Sequence, residues 1–280
     1  MTDKKKKKCT VLEKLLDEGF FENEKEAETW VMMKNVLINN QPVWSIHEKV
    51  AVDSEVSIRG YYKRQYVNKG GFKLNAALER FAIDCKDKVA LDCGASTGGF
   101  TDCWVQKGVK LVYAVDVGFG QLAGKLANDP HVVNMEKTNL SDEKLTVLDP
   151  KPEMISLDLS YLSLKKALPI CREILKEKGI MVCLIKPIYE VESSEIRRNG
   201  NINQKEVLQE ILRDICAFYL ENGVDIIGLT HSPVTGNSGT LEYLIGVCWN
   251  CTDYENINLS YGDEIDNAIE ESFKLHRFKK

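Results

Sequence analysis

The stretch from Val89 to Phe100 constrains this chain most, because a short apolar run ends there in an acid and then in a glycine-rich turn. The run predicts a buried strand that stops at Asp92. Its glycines lack a β-carbon, so the turn can adopt positive φ and let a ligand touch the main chain. They are Gly94, Gly98 and Gly99. A helix predicted over residues 101–107 directs its N-terminal amides at the same turn, so the stretch predicts a cofactor site in an α/β fold.

A second acid supports this interpretation. Asp116 follows the predicted strand Leu111 to Val115, and an acid at a second strand tip can accept hydrogen bonds from both ribose hydroxyls of a nucleoside. The spacing Gly-x-x-x-Gly-Gly differs from the dinucleotide fingerprint, and no Lys-Ser or Lys-Thr follows as in a P-loop. We therefore predict S-adenosylmethionine as cofactor; the alternative is a glycine turn that only packs a helix on a strand. The predicted cofactor contacts are Asp92, Gly94, Ala95, Ser96, Thr97, Gly98, Gly99, Phe100, Asp116, Val117, Asn139 and Asp158.

Composition excludes several classes of protein. With 280 residues, 44% hydrophobic and 28% charged, the chain has the composition of a soluble globular protein, and it has no apolar run long enough for a membrane helix. Nine scattered cysteines indicate reduced thiols, and neither a second Cys pair nor a nearby histidine follows Cys248 and Cys251 to complete a zinc ligand set, so we predict a cytoplasmic protein without a metal site. Because the net charge is -5, any contact with nucleic acid must be made by a local basic patch.

Residues 1–60 contain a basic tail, 1–9, and a small module, 10–60, with two predicted helices followed by short strands. This order resembles the RNA-binding module of ribosomal protein S4. In that family the second helix and the following loop present basic residues to RNA, whereas here the region from Glu22 to Glu28 is acidic. A module retained for packing is therefore the alternative.

A connector, 61–72, follows, in which aromatic residues alternate with bases. Such interleaving suits a nucleic-acid backbone with stacked bases, although ordinary linkers also contain it. The predicted RNA contacts are Lys63, Arg64 and Lys69.

Four ionisable residues are expected at the sheet edge beside the cofactor. Asp158 and Lys186 follow two predicted strands, 154–157 and 179–185, while Lys73 opens a helix over 74–81. Glu242 is predicted on a last strand, 240–248, in an antiparallel hairpin. Methyl transfer to a hydroxyl needs alignment for in-line attack and removal of a proton, and we predict Lys186 as the base. Two surface salt bridges are the alternative interpretation.

Six strings in the chain resemble the TlyA family of FtsJ-like ribosomal RNA ribose 2′-O-methyltransferases, some of them labelled haemolysins. They include Asn-Lys-Gly-Gly-Phe-Lys-Leu, Leu-Asp-Cys-Gly-Ala-Ser-Thr-Gly-Gly-Phe-Thr-Asp, Asp-Leu-Ser-Tyr-Leu-Ser-Leu and Ile-Lys-Pro-Ile-Tyr-Glu. The resemblance implies a Rossmann-like class I methyltransferase domain over 73–250, followed by a tail, 251–280. It also implies a catalytic tetrad on Lys73, Asp158, Lys186 and Glu242, and cytidine targets in ribosomal RNA or ribosomal subunits. Where the family usually has Ser-Arg, this chain has Asn68-Lys69.

Several other functions remain open on the sequence. A methyltransferase of exocyclic amines would carry prolines after Asp158, and a cytosine carbon-5 enzyme would need a Pro-Cys dipeptide, which this chain lacks. A binding-only RNA protein with a vestigial cofactor pocket and a haemolysin are the two non-enzymatic alternatives. The sequence predicts no oligomeric state.

Overall fold

The structure is a computed structural model that describes residues 8–18, 20–21, 23–59, 65–191, 202–236, 239–250 and 261–275. The chain divides into two compact units, residues 1–65 and 66–280. None of the helices in the described ranges combines the length and the apolar character needed to cross a membrane.

The first unit is a small α+β module with its own core. The side chain of Thr10 caps the first helix by accepting from the Glu13 amide, while the Glu13 carboxylate accepts from the Thr10 amide. Its core is made of apolar side chains from both helices and from the short sheet, including Val11, Leu15 and Val36. The elements are β1 (Lys8–Thr10), α1 (Val11–Asp17), α2 (Glu24–Met32), β2 (Val36–Ile38), β3 (Gln41–Pro42), β4 (Lys49–Ala51) and β5 (Val56–Ile58).

The second unit is built on a seven-stranded sheet with helices on both faces. Its helices are α3 (Gly70–Arg80), α4 (Gly99–Gln106), α5 (Gly124–Ala127), α6 (Leu164–Ile174), α7 (Pro187–Glu190), α8 (Lys205–Glu221) and α9 (Tyr261–Lys274). Its strands are β6 (Val89–Cys93), β7 (Leu111–Val115), β8 (Val132–Met135), β9 (Met154–Leu157), β10 (Ile180–Ile185), β11 (Asp225–His231) and β12 (Tyr243–Cys248). The strand order is β11-β12-β10-β9-β6-β7-β8, and the predicted Rossmann-like α/β class is confirmed.

The central strand β6 lies between β7 and β9, which it pairs with in parallel. All five of its residues are buried, because one core packs on each face of the sheet. The chain runs from β6 to β7 on one side and later to β9 on the other, so the strand order reverses here. In open α/β sheets ligands bind at this point, outside the carboxyl ends of the strands.

The last two strands form the antiparallel hairpin that the sequence predicts. Helix α3 is seated on this hairpin by Phe81, whose ring lies where β-carbons at Gly228 and Gly246 would be, 2.4 and 2.7 Å from the nearest ring atoms. The strand begins at Tyr243 rather than at residue 240, so Glu242 directly precedes it. Seating α3 on β11 and β12 brings the start of that helix towards the loop that carries Glu242.

Two segments differ from their predicted assignments. Helix α3 begins at Gly70, within the predicted connector, because the Asn68 side chain accepts from the Gly70 amide and the buried Tyr66 ring packs against Gly71. Residues 66–72 therefore belong to the second unit. The predicted tail contains α9, whose Ile265 and Ile269 are fully buried in the core of that unit.

Candidate active site

The turn between β6 and α4 forms one wall of the site. Gly94 has φ of +85°, and a β-carbon there would lie 2.4 Å from the carbonyl oxygen of Asp158. The amides of Gly94 and Ala95 both donate to the Val115 carbonyl, which ties the turn to the end of β7. Only glycine fits this close approach of the β6 and β9 ends, so the predicted turn has a steric cause.

Asp116 is fixed at the tip of β7 by two backbone amides. One carboxylate oxygen accepts from the Ser96 amide at 2.8 Å, and the other accepts from the Gly118 amide at 2.7 Å. Each oxygen keeps a further lone pair. The carboxylate is therefore held in place for a ligand with neighbouring hydroxyl groups.

A cavity of about 470 Å³ opens beside these groups, and we call it the cofactor lobe. Its polar lining includes Asp116, Asn139 and Asp158, and its apolar lining includes Val117 and Leu140. The volume lies within the usual range for small-molecule sites, and polar groups at separate places among apolar walls suit a nucleoside. The residues present therefore fit S-adenosylmethionine.

A second cavity of about 310 Å³, the catalytic lobe, is lined by charged side chains. The two lobes share four lining residues: Gly94, Ser96, Asp158 and Lys186. The catalytic lobe adds Asn68, Lys69, Lys73 and Glu242. All four residues of the predicted tetrad thus line one cavity that meets the cofactor lobe.

The tetrad forms two ion pairs that differ in burial. Lys73 donates to Glu242 at 2.6 Å, and both side chains are 6% exposed. Lys186 and Asp158 are 2.5 Å apart, with side chains 17% and 22% exposed. The first pair is almost fully buried in the wall of the catalytic lobe, whereas the second stands where the two lobes meet and is more exposed.

Lys69, which the sequence predicts as an RNA contact in the connector, lines the catalytic lobe. Its ammonium group donates to the carbonyl of Thr235 at 2.9 Å. Burial lowers the pKa of Lys69, and the charge of Lys73 lowers it further, while Glu242 and Asp158 oppose the shift. The described lining of this lobe holds three ammonium groups and two carboxylates, a surplus of one positive charge.

Asn68 is a site residue that our sequence reasoning missed. Its side-chain amide donates to the Thr97 hydroxyl at 2.6 Å, and its oxygen accepts from the Gly70 amide. A β-carbon at Gly99 would lie only 2.0 Å from that oxygen, so Asn68 rests directly on the start of α4. The signal was present in the string Asn-Lys-Gly-Gly, where an Asn precedes a glycine helix start and can cap it.

Asp92 does not face either lobe, contrary to its predicted place among the cofactor contacts. It lies inside β6, is 0% exposed, and accepts from the hydroxyls of Thr101 and Ser156. Burial raises its pKa to about 6, against the opposing effect of these hydrogen bonds. The strand continues one residue further than predicted, to Cys93, so Asp92 lies within the strand and not at its tip.

The other predicted contacts are placed as follows. Those that line one or both lobes are Gly94, Ala95, Ser96, Gly99, Phe100, Asp116, Val117, Asn139 and Asp158. Thr97 and Gly98 line neither; Thr97 holds Asn68, and Gly98 caps α4 beneath Leu126. Lys63 and Arg64 lie outside the described residues. Within the described ranges, no cluster of three His, Cys, Asp or Glu is placed to hold a metal ion.

Comparison with known proteins places this geometry in a family. The family model of FtsJ-like methyltransferases matches residues 66–248. "16S/23S rRNA (cytidine-2'-O)-methyltransferase TlyA" of Mycobacterium tuberculosis is 30% identical over 92% of this chain and 96% of its own length. "Hemolysin A" of Brachyspira hyodysenteriae is 36% identical over 81% of this chain and 94% of its own length. A solved structure from Streptococcus thermophilus, 33% identical, has a TM-score of 0.72 and covers 95% of this chain and 97% of that one.

Proposed function

Because this chain belongs to the FtsJ-like methyltransferase family, we propose that it methylates a ribose 2′-hydroxyl of ribosomal RNA with S-adenosylmethionine as methyl donor. One observation carries the proposal: the Lys186–Asp158 pair stands where the cofactor lobe joins a lobe rich in ammonium groups. A methyl donor in the first lobe and an anionic polymer in the second would meet at that pair. The relative from Mycobacterium tuberculosis, named for the cytidine 2′-hydroxyl, supports cytidine as the target.

The cofactor lobe would hold the donor through groups that are already fixed. The Asp116 carboxylate would accept from the ribose hydroxyls, and Asn139 would bind polar atoms at the far end of the lobe. S-adenosylmethionine supplies an activated methyl group, which leaves its sulfur as the O2′–carbon bond forms. What remains for the protein is to align the hydroxyl and to remove its proton.

Lys186, in its neutral form, would take that proton. Asp158 holds the amine 2.5 Å away and would stabilise the ammonium that the transfer produces. The buried Lys73–Glu242 ion pair would keep the lobe in shape, while Lys69 would face the RNA backbone. Lys63 and Arg64 would extend that contact along the connector.

Labelled S-adenosylmethionine, ribosomal subunits and purified protein give the direct test. We expect digested RNA to contain 2′-O-methylcytidine by mass spectrometry, and ribosomal RNA from cells lacking the gene to lack that nucleoside. Protein carrying Lys186→Met is the matched control, because it should keep the cofactor lobe intact. A methyl group on a base instead of a ribose would contradict the proposal.

The relative named Hemolysin A raises a second candidate function. Lysis of erythrocytes by the purified wild-type protein and by the Lys186→Met variant would test it. Lysis that is equal in both variants would establish an activity independent of methyl transfer.

A further inference from the structure

The Lys186–Asp158 pair is joined to a second contact between the same two segments. Glu190, at the end of α7, accepts from the Ser163 hydroxyl at 2.7 Å with one oxygen and from the Leu164 amide at 2.9 Å with the other. Ser163 follows Asp158 by five residues, and Glu190 follows Lys186 by four. Residues 158–164 and 186–190 are thus joined at both ends, by Lys186–Asp158 at one end and by Glu190 at the other, and we call this closed arrangement the ring.

Both halves of this ring are stiff. Lys186 is followed by Pro187, and the Tyr189 and Val191 amides donate back to the Lys186 and Pro187 carbonyls, so residues 186–191 form one compact turn. On the other side, Ser163 is the N-cap of α6. Tyr161 and Tyr189 add a ring contact, with centroids 5.3 Å apart. A shift at one end of the ring must therefore be transmitted to the other end.

The sheet holds the backbone on each side of the reactive pair, because the Asp158 amide donates to the Cys93 carbonyl and Ile185 pairs with Tyr243 of β12, but β9 and β10 do not pair with each other at Asp158 and Lys186. The ladder between β9 and β10 ends at Leu157 and Cys183, before Asp158 and Lys186. Beyond the ladder, the two segments are connected by the ion pair, by the Tyr161–Tyr189 ring contact and by the contacts of Glu190. A carboxylate that accepts from a helix N-cap hydroxyl and from the first amide of α6 gives a directional, charge-assisted clamp.

We infer that Glu190 is a positioning residue, which holds the Lys186 amine against Asp158 by clamping the β10–α7 segment to the start of α6. Glu190 is not among the described residues that line either lobe, so it acts through Lys186. The inference rests on the proposed role of Lys186 as base. A displacement of the amine by about 1 Å is enough to slow the chemical step, because reactivity depends steeply on alignment.

Glu190→Ala should lower kcat for methyl transfer by about tenfold or more, with KM for RNA and affinity for S-adenosylmethionine within about threefold. Glu190→Gln should restore most of kcat, because the amide oxygen can accept from Leu164 and the amide nitrogen can donate to the Ser163 hydroxyl. Glu173 is an exposed acid on α6, so Glu173→Ala is the matched control and should leave kcat unchanged. If Glu190→Ala does not fold, Ser163→Ala opens the same ring at its other side.

A double mutant separates positioning from general stability. In a Lys186→Met background, Glu190→Ala should lower the residual rate by less than about twofold, because the residue it positions is gone. Covalent labelling of Lys186 by an amine reagent, read by mass spectrometry without cofactor or RNA, should be faster in Glu190→Ala than in wild type.

Equal rate losses in both backgrounds, a Glu190→Gln variant as slow as Glu190→Ala, or unchanged Lys186 labelling would each overturn the inference. An active Lys186→Met variant would instead reject the proposed base. An inactive Lys186→Met with a normal Glu190→Ala would reject only the positioning role.

Discussion

The two lobes of the cleft are built in opposite ways. In the cofactor lobe, backbone amides set the geometry, as in the bond from the Ser96 amide to Asp116 across 20 residues of sequence. In the catalytic lobe, side-chain charges set it, and the Lys73–Glu242 pair joins residues 169 positions apart. A binding site for a constant cofactor can be formed by one local motif, whereas a proton-transfer site needs ionisable side chains that distant parts of the sheet bring together.

The largest effect is expected from breaking the buried pair. Glu242→Ala should lower the free energy of unfolding by about 3–5 kcal/mol, because it leaves the Lys73 ammonium buried without its counter-charge. Chemical denaturation measures this loss. Glu79→Ala, at the exposed pair with Lys107, is the control and should cost less than about 1 kcal/mol. Equal losses for the two variants would contradict the distinction between the pairs.

The more accessible pair should affect chemistry rather than stability. Lys186→Met should reduce the methyl-transfer rate by about 100-fold or more, the usual contribution of a positioned base, and keep cofactor affinity within a few-fold. Single-turnover kinetics and calorimetry with S-adenosylmethionine measure the two quantities. Lys176→Met, at an exposed lysine, serves as the control. Near-normal turnover in Lys186→Met would rule out its role as the base.

A substitution in the cofactor lobe should change only the affinity for S-adenosylmethionine. Asp116→Ala should weaken S-adenosylmethionine binding by about 1.5–3 kcal/mol, the scale of hydrogen bonds to a charged group. Calorimetry measures the change, and Asp263→Ala, exposed in the first turn of α9, is the control with the same loss of charge. Unchanged affinity in a folded Asp116→Ala variant would show that the ribose is held elsewhere.

The smallest effect is expected for RNA affinity. Replacing Lys63, Arg64 and Lys69 together by Ala should flatten the slope of log affinity against log salt by up to about 3, and Lys69→Ala alone by about 1. Deleting residues 1–60 should flatten it less, because the module is acidic between Glu22 and Glu28. Filter binding of a ribosomal RNA fragment across a salt series measures all three variants. A larger change on deleting the module would make the first unit the RNA anchor.

Local sequence was enough to predict where the glycine turn and the acid of the cofactor lobe lie. The glycine turn and the strand-tip acid Asp116 belong to patterns shorter than one strand-helix-strand unit, so chain geometry nearly determines their place. The sequence could not show which of the strand residues are buried away from the lobe. Asp92 looks like a ligand contact from its position, but its side chain is fully buried and accepts from the hydroxyls of Thr101 and Ser156.

The catalytic lobe could not be derived in the same way. Lys73 and Glu242 are 169 positions apart, and no local pattern encodes their pairing or the docking of Phe81 at Gly228 and Gly246. The strand and helix pattern placed the four tetrad residues at one sheet edge, and the resemblance to a family implied that they act as a catalytic tetrad. Lys69 was assigned to the connector because a Gly-Gly pair loosens the backbone, whereas here α3 begins at Gly70, whose amide donates to the Asn68 side chain, and Lys69 lines the lobe.

The late position of β12 in the sequence means that the two lobes are completed at different times during translation. This strand lies between β10 and β11, and Glu242 directly precedes it. Every described residue that lines the cofactor lobe has been translated by Lys186, whereas the catalytic lobe waits for residue 242. Domains fold as the chain emerges from the ribosome, at about 5–20 residues per second. A nascent chain therefore acquires the parts for binding its methyl donor seconds before it acquires those for using it.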